Sequence, residues 1–298
     1  VNIVMLGHSG AGKTTYVSLM YAEMHAGVAG FQVRAGDDDH HRQLMTDAKA
    51  IRAGTYPAAT HRRARYDLAL SYHGSEVMPF SWRDHRGGAA SGRTSDAQDV
   101  AELNQDLLDS DAIAVFVDGA DLVNDPQAAR MVGRLSSHIL RALQSREEFP
   151  TPVAIAVTKC DCVDLGSARV QEALDAPLRD LASAMRASSH IQGTILRISC
   201  GPSPMNVILP VLWLMRFGVI GMGMRLAATA QSLSEAAQAA AKMDTMGDRI
   251  AAWWRGAQNS ASLAEQLRLN AERAYQDFLV LVPPVEGLDK LLTGVESF

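Results

Sequence analysis

Cysteine is scarce. The 298-residue chain carries three, Cys160, Cys162 and Cys200. An odd, sparse count without framework spacing excludes a disulfide scaffold and implies a reducing compartment. Cys160-Asp161-Cys162 lacks the second pair that a zinc clip needs, so it reads as two thiols on a loop beside a strand end. Charge of either sign is not in large excess, and a net charge of −5 leaves no electrostatic footprint for nucleic acid. An unbroken apolar run of membrane-spanning length is also missing. Val207 to Met224 comes nearest, but Pro210 and Arg216 interrupt it. A charge near the middle of a span is costly, so a buried helix is expected there and membrane contact is not. Val1 to Leu6 runs straight into a glycine-rich loop with no signal peptide before it, and the cytoplasm is the expected location. With no Met at position 1, the native start is open. Internal repeats and low-complexity tracts are absent. What is present, 47% hydrophobic and 20% charged residues, suffices for a globular core of ordinary size.

Strand-like and helix-like segments alternate through the first two thirds. Apolar runs at Asn2–Leu6, Ala112–Val117, Pro152–Val157 and Thr194–Ile198 suit buried strands. Helical patterns cover Lys13–His25, Asp37–Ala53, Ala97–Leu108, Pro126–Ser145, Ser167–Ala187 and Met205–Phe217. Arg65–Tyr72 and Val77–Trp82 read as a hairpin turning at His73-Gly74. Such alternation predicts a three-layer α/β domain over residues 1–220, with a mostly parallel sheet and one antiparallel edge strand. From 221 to 298 a helical C-terminal appendage is expected: Leu226–Met243 and Ile250–Leu279 are helical, with Trp253 and Trp254 among the anchors, and Pro283-Pro284 ends the second helix. The tryptophan pair reads as packing rather than as a membrane contact. The acidic opening Asp37-Asp38-Asp39 is accounted for by the dipole of the helix it starts, not by a metal.

Gly7-His8-Ser9-Gly10-Ala11-Gly12-Lys13-Thr14 matches G-x-x-x-x-G-K-[ST] at every fixed position, after a predicted strand and opening a predicted helix. Glycines let successive backbone N–H groups point inward around a β-phosphate. Ser9, Gly10, Ala11, Gly12, Lys13, Thr14 and Thr15 are the expected phosphate contacts. Lys13 supplies charge to the β/γ-phosphates, the Thr14 hydroxyl ligates Mg²⁺, and the helix start adds its dipole.

Thr158-Lys159-Cys160-Asp161 stands at the end of an apolar strand and resembles the [NT]-K-x-D base-recognition motif of GTPases. A carboxylate at Asp161 accepts two hydrogen bonds from guanine N1–H and its 2-amino group, a donor pair that adenine lacks. Three further segments fall in the family's order. Asp84-His85-Arg86-Gly87 looks like D-x-x-G, Ser199-Cys200-Gly201 is similar to the loop whose backbone contacts the guanine carbonyl, and Thr60 lies where the switch threonine is expected. The resemblance is to Ras-like GTPases of the translation-factor-related class and covers about residues 1–220. More narrowly, a helical insertion before G-x-x-P-x-x-T, together with W-x-D-x-x-G-G, looks like the bacterial double-GTPase proteins, inferred to act in conflict or stress systems beside a partner. The resemblance implies GTP or GDP as ligand, Mg²⁺ held by Thr14, Thr60 and Asp84, and catalysis resting on Lys13, Thr60, Gly87 and His85. It also implies a protein effector or activating partner.

The pattern departs from the family at one telling place. Gly88 stands where many GTPases carry the Gln that orients water, so slow intrinsic turnover is expected. His85 or Arg86 is a candidate substitute, and Arg62, Arg63 or Arg65 a candidate arginine finger, although the basic run from His61 to Arg65 also suits a solvated face. Two other readings stand beside the slow GTPase switch. One is a guanine-nucleotide module that never turns over. The other is a P-loop ATPase with Asp118 as the metal-linked carboxylate at the end of its strand.

Overall fold

The computed structural model describes residues 1–57, 64–84, 97–143, 150–188, 191–243 and 260–298. The chain divides into two compact units, one of Val1–Gly218 with Leu288–Phe298 and one of Val219–Gly287.

In the first unit β1 (Asn2–Leu6) leads through the glycine loop into α1 (Lys13–Ala26), followed by β2 (Phe31–Ala35), α2 (Asp38–Arg52), β3 (Ala64–Tyr72) and β4 (Ser75–Asp84). After α3 (Ala97–Leu108) come β5 (Ala112–Asp118), α4 (Gly119–Asn124), α5 (Pro126–Leu143), β6 (Thr151–Thr158), a 3₁₀ turn at Cys160–Cys162, α6 (Ala168–Arg186) and β7 (Ile191–Arg197). The seven strands form one sheet in the order β2-β3-β4-β1-β5-β6-β7. β1 lies parallel to β4 and β5, and the parallel run continues through β6 to β7. The antiparallel strand expected from the hairpin is β3, which pairs antiparallel with both β4 and β2. β2 is a strand the sequence patterns did not reveal. It takes the edge outside β3, where Phe31 and Val33 are buried and Gln32 and Arg34 turn away.

Strand alternation gives the sheet two apolar faces. Val4, Leu6, Ile113, Val115, Val153 and Ile155 point to the side covered by Leu103 and Leu107 of α3, Ile139 of α5 and Leu174, Leu178 and Met185 of α6. On the opposite face Tyr16 of α1 packs against Trp82 and Phe116, with ring centroids 5.8 and 4.9 Å away. The parallel β1, β5, β6 and β7 therefore end together beside the start of α1, where ligands of open α/β sheets bind.

α7 (Leu209–Met243) and α8 (Ser260–Leu291) are longer than their sequence patterns suggest. α7 runs unbroken past Gly218, Gly221 and Gly223, and α8 continues through Pro283 and Pro284 rather than stopping there. Packing overrides the local propensities. A Cβ on Gly223 would lie 3.5 Å from Phe278 and 3.8 Å from Leu281, so within the second unit this glycine lets α8 come close. Each helix there repeats its less exposed residues in alternating steps of four and three: Val219, Gly223, Leu226, Ala230, Leu233 and Ala237 on α7, and Ala264, Leu267, Ala271, Ala274, Phe278 and Leu281 on α8. That is the period of an antiparallel helix pair with a small-residue seam. α7 is long and apolar enough to cross a bilayer, and 39% of its apolar window is buried within the protein; Val211–Met215 and Val219 are buried.

Candidate functional site

The loop after β1 is shaped by glycine at its ends. A Cβ on Gly7 would meet the Phe116 carbonyl oxygen at 2.6 Å, so only glycine lets the chain pass that close to β5. Gly12 caps α1 with a left-handed φ of 84° and its carbonyl accepts the first helical bond, from Tyr16 N at 2.8 Å. Lys13 folds back over the loop, its ammonium donating to Gly7 O at 2.8 Å and His8 O at 3.4 Å.

Asp84 is the last residue of β4 and sits in register beside Met5 of β1, which carries its carboxylate to the loop. Its Oδ1 lies 3.7 Å from Lys13 Nζ, with both side chains about nine-tenths buried. Burial pushes the Asp84 carboxyl above its ordinary range while the Lys13 charge pulls it back. Burial likewise lowers Lys13, with Asp84 opposing. Asp84 Oδ1 is buried with no hydrogen-bond partner. A buried carboxylate oxygen without a hydrogen-bond donor suits a hard cation such as Mg²⁺, which takes oxygen ligands.

β6 delivers the second half of the site. The Thr158 hydroxyl lies 2.9 Å from Ala11 O and 3.2 Å from Val117 O, so it ties the phosphate loop to the ends of β5 and β6. Lys159 takes a left-handed φ of 54° and pairs its ammonium with Asp118 Oδ2. Asp161 projects from the 3₁₀ turn, exposed, toward Gly201, where a Cβ would lie 2.8 Å from its Oδ2. Ser199, Cys200 and Gly201 follow β7, and Ser199 is closed into a tight loop by two backbone bonds with Met205, at 3.0 and 3.1 Å. The fold thus brings the Thr158–Asp161 turn and the Ser199–Gly201 loop together, and joins the turn to the Gly7–Thr14 loop. Ser9 and Gly10 are exposed on that loop, and Thr14 and Thr15 are half-buried in the first turn of α1. Thr60, His85 and Gly87 lie outside the described residues, as do Arg62, Arg63 and Arg86.

Several other sequence candidates have structural employment. Asp118 does not stand ready for a metal: its Oδ1 caps α4 by accepting from Ala120 N at 3.0 Å and Asp121 N at 3.1 Å, and its Oδ2 holds Lys159. His8, Asp118 and Asp121 are grouped closely enough to suggest a cation, yet both oxygens of Asp118 are already committed. Asp37 caps α2 through His40 N at 2.8 Å, in keeping with the dipole account. Arg65 pairs with Asp67 at 2.8 Å on an exposed face. Burial pushes the Cys160 thiol to about 11 and the Cys200 thiol to about 12, which leaves both protonated and inert near neutrality. Sequence reasoning passed over Tyr56, whose hydroxyl lies 3.5 Å from where a Cβ on Gly201 would stand. That nearness depends on a glycine far along the chain and leaves no local signal.

Comparison with solved structures finds distant likenesses. The Arl6 BBS3 small GTPase from Trypanosoma brucei with a bound nucleotide analogue, GppNp, is 16% identical, over 72% of this chain and 95% of that one, with a TM-score of 0.43. A GTP-binding protein from Sulfolobus solfataricus in complex with GDP is 15% identical over 72% of this chain and 51% of its own, TM-score 0.37. The G domain of the T. maritima FeoB iron transporter is 14% identical over 73% and 98%, TM-score 0.37. No curated protein matches the chain. Residues 2–194, which hold the phosphate loop, Asp84 and the Thr158–Asp161 turn, match the Double-GTPase 2 family, and the chain belongs to that family.

Proposed function

We propose that this protein binds GTP and GDP with Mg²⁺ on the Gly7–Thr14 loop, hydrolyses GTP slowly, and acts as a nucleotide-dependent switch toward a protein partner. The observation that carries the reading is the contact from Thr158 to Ala11 O at 2.9 Å, which fastens the base-motif turn to the phosphate loop so that one nucleotide reaches both. In this reading the backbone from Ser9 to Thr15 and the Lys13 ammonium hold the phosphates. Asp161 accepts from guanine N1–H and the 2-amino group, and the Ser199-Cys200 backbone faces the guanine carbonyl. Thr14, Thr60 and Asp84 would hold Mg²⁺, which supplies positive charge against the β- and γ-phosphate oxygens. The buried, unpartnered Oδ1 of Asp84 supports that assignment. Gly88 in the place of the water-orienting Gln motivates slow turnover, and in this reading Gly87 and His85 of the Asp84–Gly87 segment serve the γ-phosphate. The ATPase reading loses its support because Asp118 is spent on a helix cap and on Lys159.

The test is displacement of a fluorescent GDP analogue, with Mg²⁺, by GTP, GDP, ATP or ADP, followed by single-turnover phosphate release. Guanine nucleotides alone are expected to displace it, and release is expected on the order of 10⁻⁴ to 10⁻³ per second, the range of an unassisted GTPase. Equal displacement by ATP overturns the guanine assignment. GTP retained intact for many hours replaces the switch by a non-hydrolysing guanine-nucleotide module.

A further inference from the structure

Lys159 carries the positive charge of the Thr158–Asp161 turn, and its ammonium is paired with Oδ2 of Asp118. Asp118 is 2% exposed, while the Lys159 side chain as a whole stays 41% exposed. The charged end is therefore fixed at a buried carboxylate, and part of the methylene stem lies open. The carboxylate itself is held still, because its Oδ1 accepts from Ala120 N at 3.0 Å and Asp121 N at 3.1 Å. Asp118 pairs in register with Thr158 across β5 and β6, so Lys159 leaves β6 directly beside it. Gly119 lets the two segments run close, since a Cβ there would lie 2.7 Å from Thr158 O. On its far side the Lys159 carbonyl accepts from Cys162 N at 3.0 Å. Its left-handed φ of 54° is unfavourable for a residue with a Cβ, and such a backbone persists where its surroundings over-determine it.

We propose that Asp118 is a positioning residue for nucleotide binding: it anchors the Lys159 ammonium so that the stem is laid out in advance as a surface for the base. This rests on the guanine reading of the Thr158–Asp161 turn given above. Thr158 is fastened to the phosphate loop at Ala11, and Asp161 is the carboxylate that reads the base. A nucleotide that reaches from one to the other crosses Lys159. An unanchored lysine is a flexible four-carbon stem, and ordering it on ligand binding costs entropy. With the ammonium already held by Asp118, that ordering takes place on folding instead, which leaves more of the contact energy for binding.

Asparagine at position 118 separates this role from helix capping. Asn caps helices about as well as Asp, and its carbonyl oxygen can serve the two α4 N–H groups, but its amide sets an NH₂ donor against the ammonium. GDP affinity with Mg²⁺ present is compared by competition for wild type, Asp118→Asn, Lys159→Ala and the double variant. Asp118→Asn is expected to weaken GDP about two- to tenfold, the cost of ordering one long side chain on binding. In the Lys159→Ala background it is expected to have no further effect. Asp118→Ser also caps but is too short to reach the ammonium, so it is expected to match Asp118→Asn and replaces it if that variant does not fold. In a wild type that prefers GDP to ADP, unchanged GDP affinity in Asp118→Asn overturns this inference alone. So does a loss that persists undiminished beside Lys159→Ala, for Asp118 then acts through α4 and not through Lys159. A wild type without preference for GDP over ADP overturns the guanine reading, and this inference with it.

Discussion

Thr158 has one hydroxyl hydrogen and two carbonyls within reach, Ala11 O at 2.9 Å and Val117 O at 3.2 Å, in a pocket that excludes water. Replacing it by valine keeps the shape and removes the donor, which takes from these buried carbonyls the one hydrogen they share. Thr158→Val is expected to lower unfolding free energy by about 1–3 kcal/mol in urea titrations and to speed GDP release, while Thr158→Ser retains most of both. A valine variant with wild-type stability and wild-type release would show that the bond does not hold the two loops together. The threonine was legible as part of a motif, but its work as a pin was not, because Ala11 and Val117 are brought to it only by the sheet. Asp118 teaches the reverse. An acid at a strand end reads identically whether it ligates a metal or caps the next helix, and only the two N–H groups of α4 decide the matter.

At the scale of elements, strong local patterns were readable and weak ones were not. The phosphate loop, α1 and the buried strands β5 and β6 announce themselves through glycine spacing and continuous apolar runs. β2 is five residues long with Gln32 and Arg34 in alternation, too short and too polar to stand out, and it forms because β3 offers an open edge. Pro283 and Pro284 should stop a helix by propensity, yet α8 passes through them, with Leu281 and Leu288 buried on either side. The other sheet edge is closed by a device invisible to pattern reading: Gly193 exchanges backbone hydrogen bonds with Phe298, at 2.5 and 2.9 Å, and Thr194 Oγ1 donates to Glu296 O at 2.7 Å. A Cβ on Gly193 would lie 2.8 Å from both Met185 Sδ and the Phe298 ring. Gly193→Ala is therefore expected to cost about 1–3 kcal/mol by displacing the tail from β7. The uncovered strand edge should also raise association in light scattering. Phe298→Ala relieves part of the clash, so the double variant should be less destabilised than the sum of the singles. Strict additivity of the two would show that the glycine and the tail do not meet.

For the whole molecule, every described residue of the candidate site falls in the first compact unit, so nucleotide binding should stabilise that unit by mass action. A ligand at a hundred times its Kd adds about 2.7 kcal/mol to unfolding, enough to move the melting temperature by several degrees. The size of that increment should depend on pH through Asp84. Burial raises its folded pKa above 3.8, so in the ligand-free protein its contribution to stability is fully present below 3.8 and is lost as pH rises through the raised value. A bound divalent cation needs the ionised carboxylate and works in the opposite direction. The increment from GDP with Mg²⁺ should therefore grow as pH rises from the mildly acidic range to neutrality, and should lose that dependence in Asp84→Asn. Differential scanning calorimetry at a series of pH values, with and without Mg²⁺ at fixed GDP, separates the two effects. If the Mg²⁺-dependent increment is the same at every pH, or survives intact in Asp84→Asn, then Asp84 does not hold the cation, and its unpartnered oxygen is only a cost that the fold carries beside Lys13.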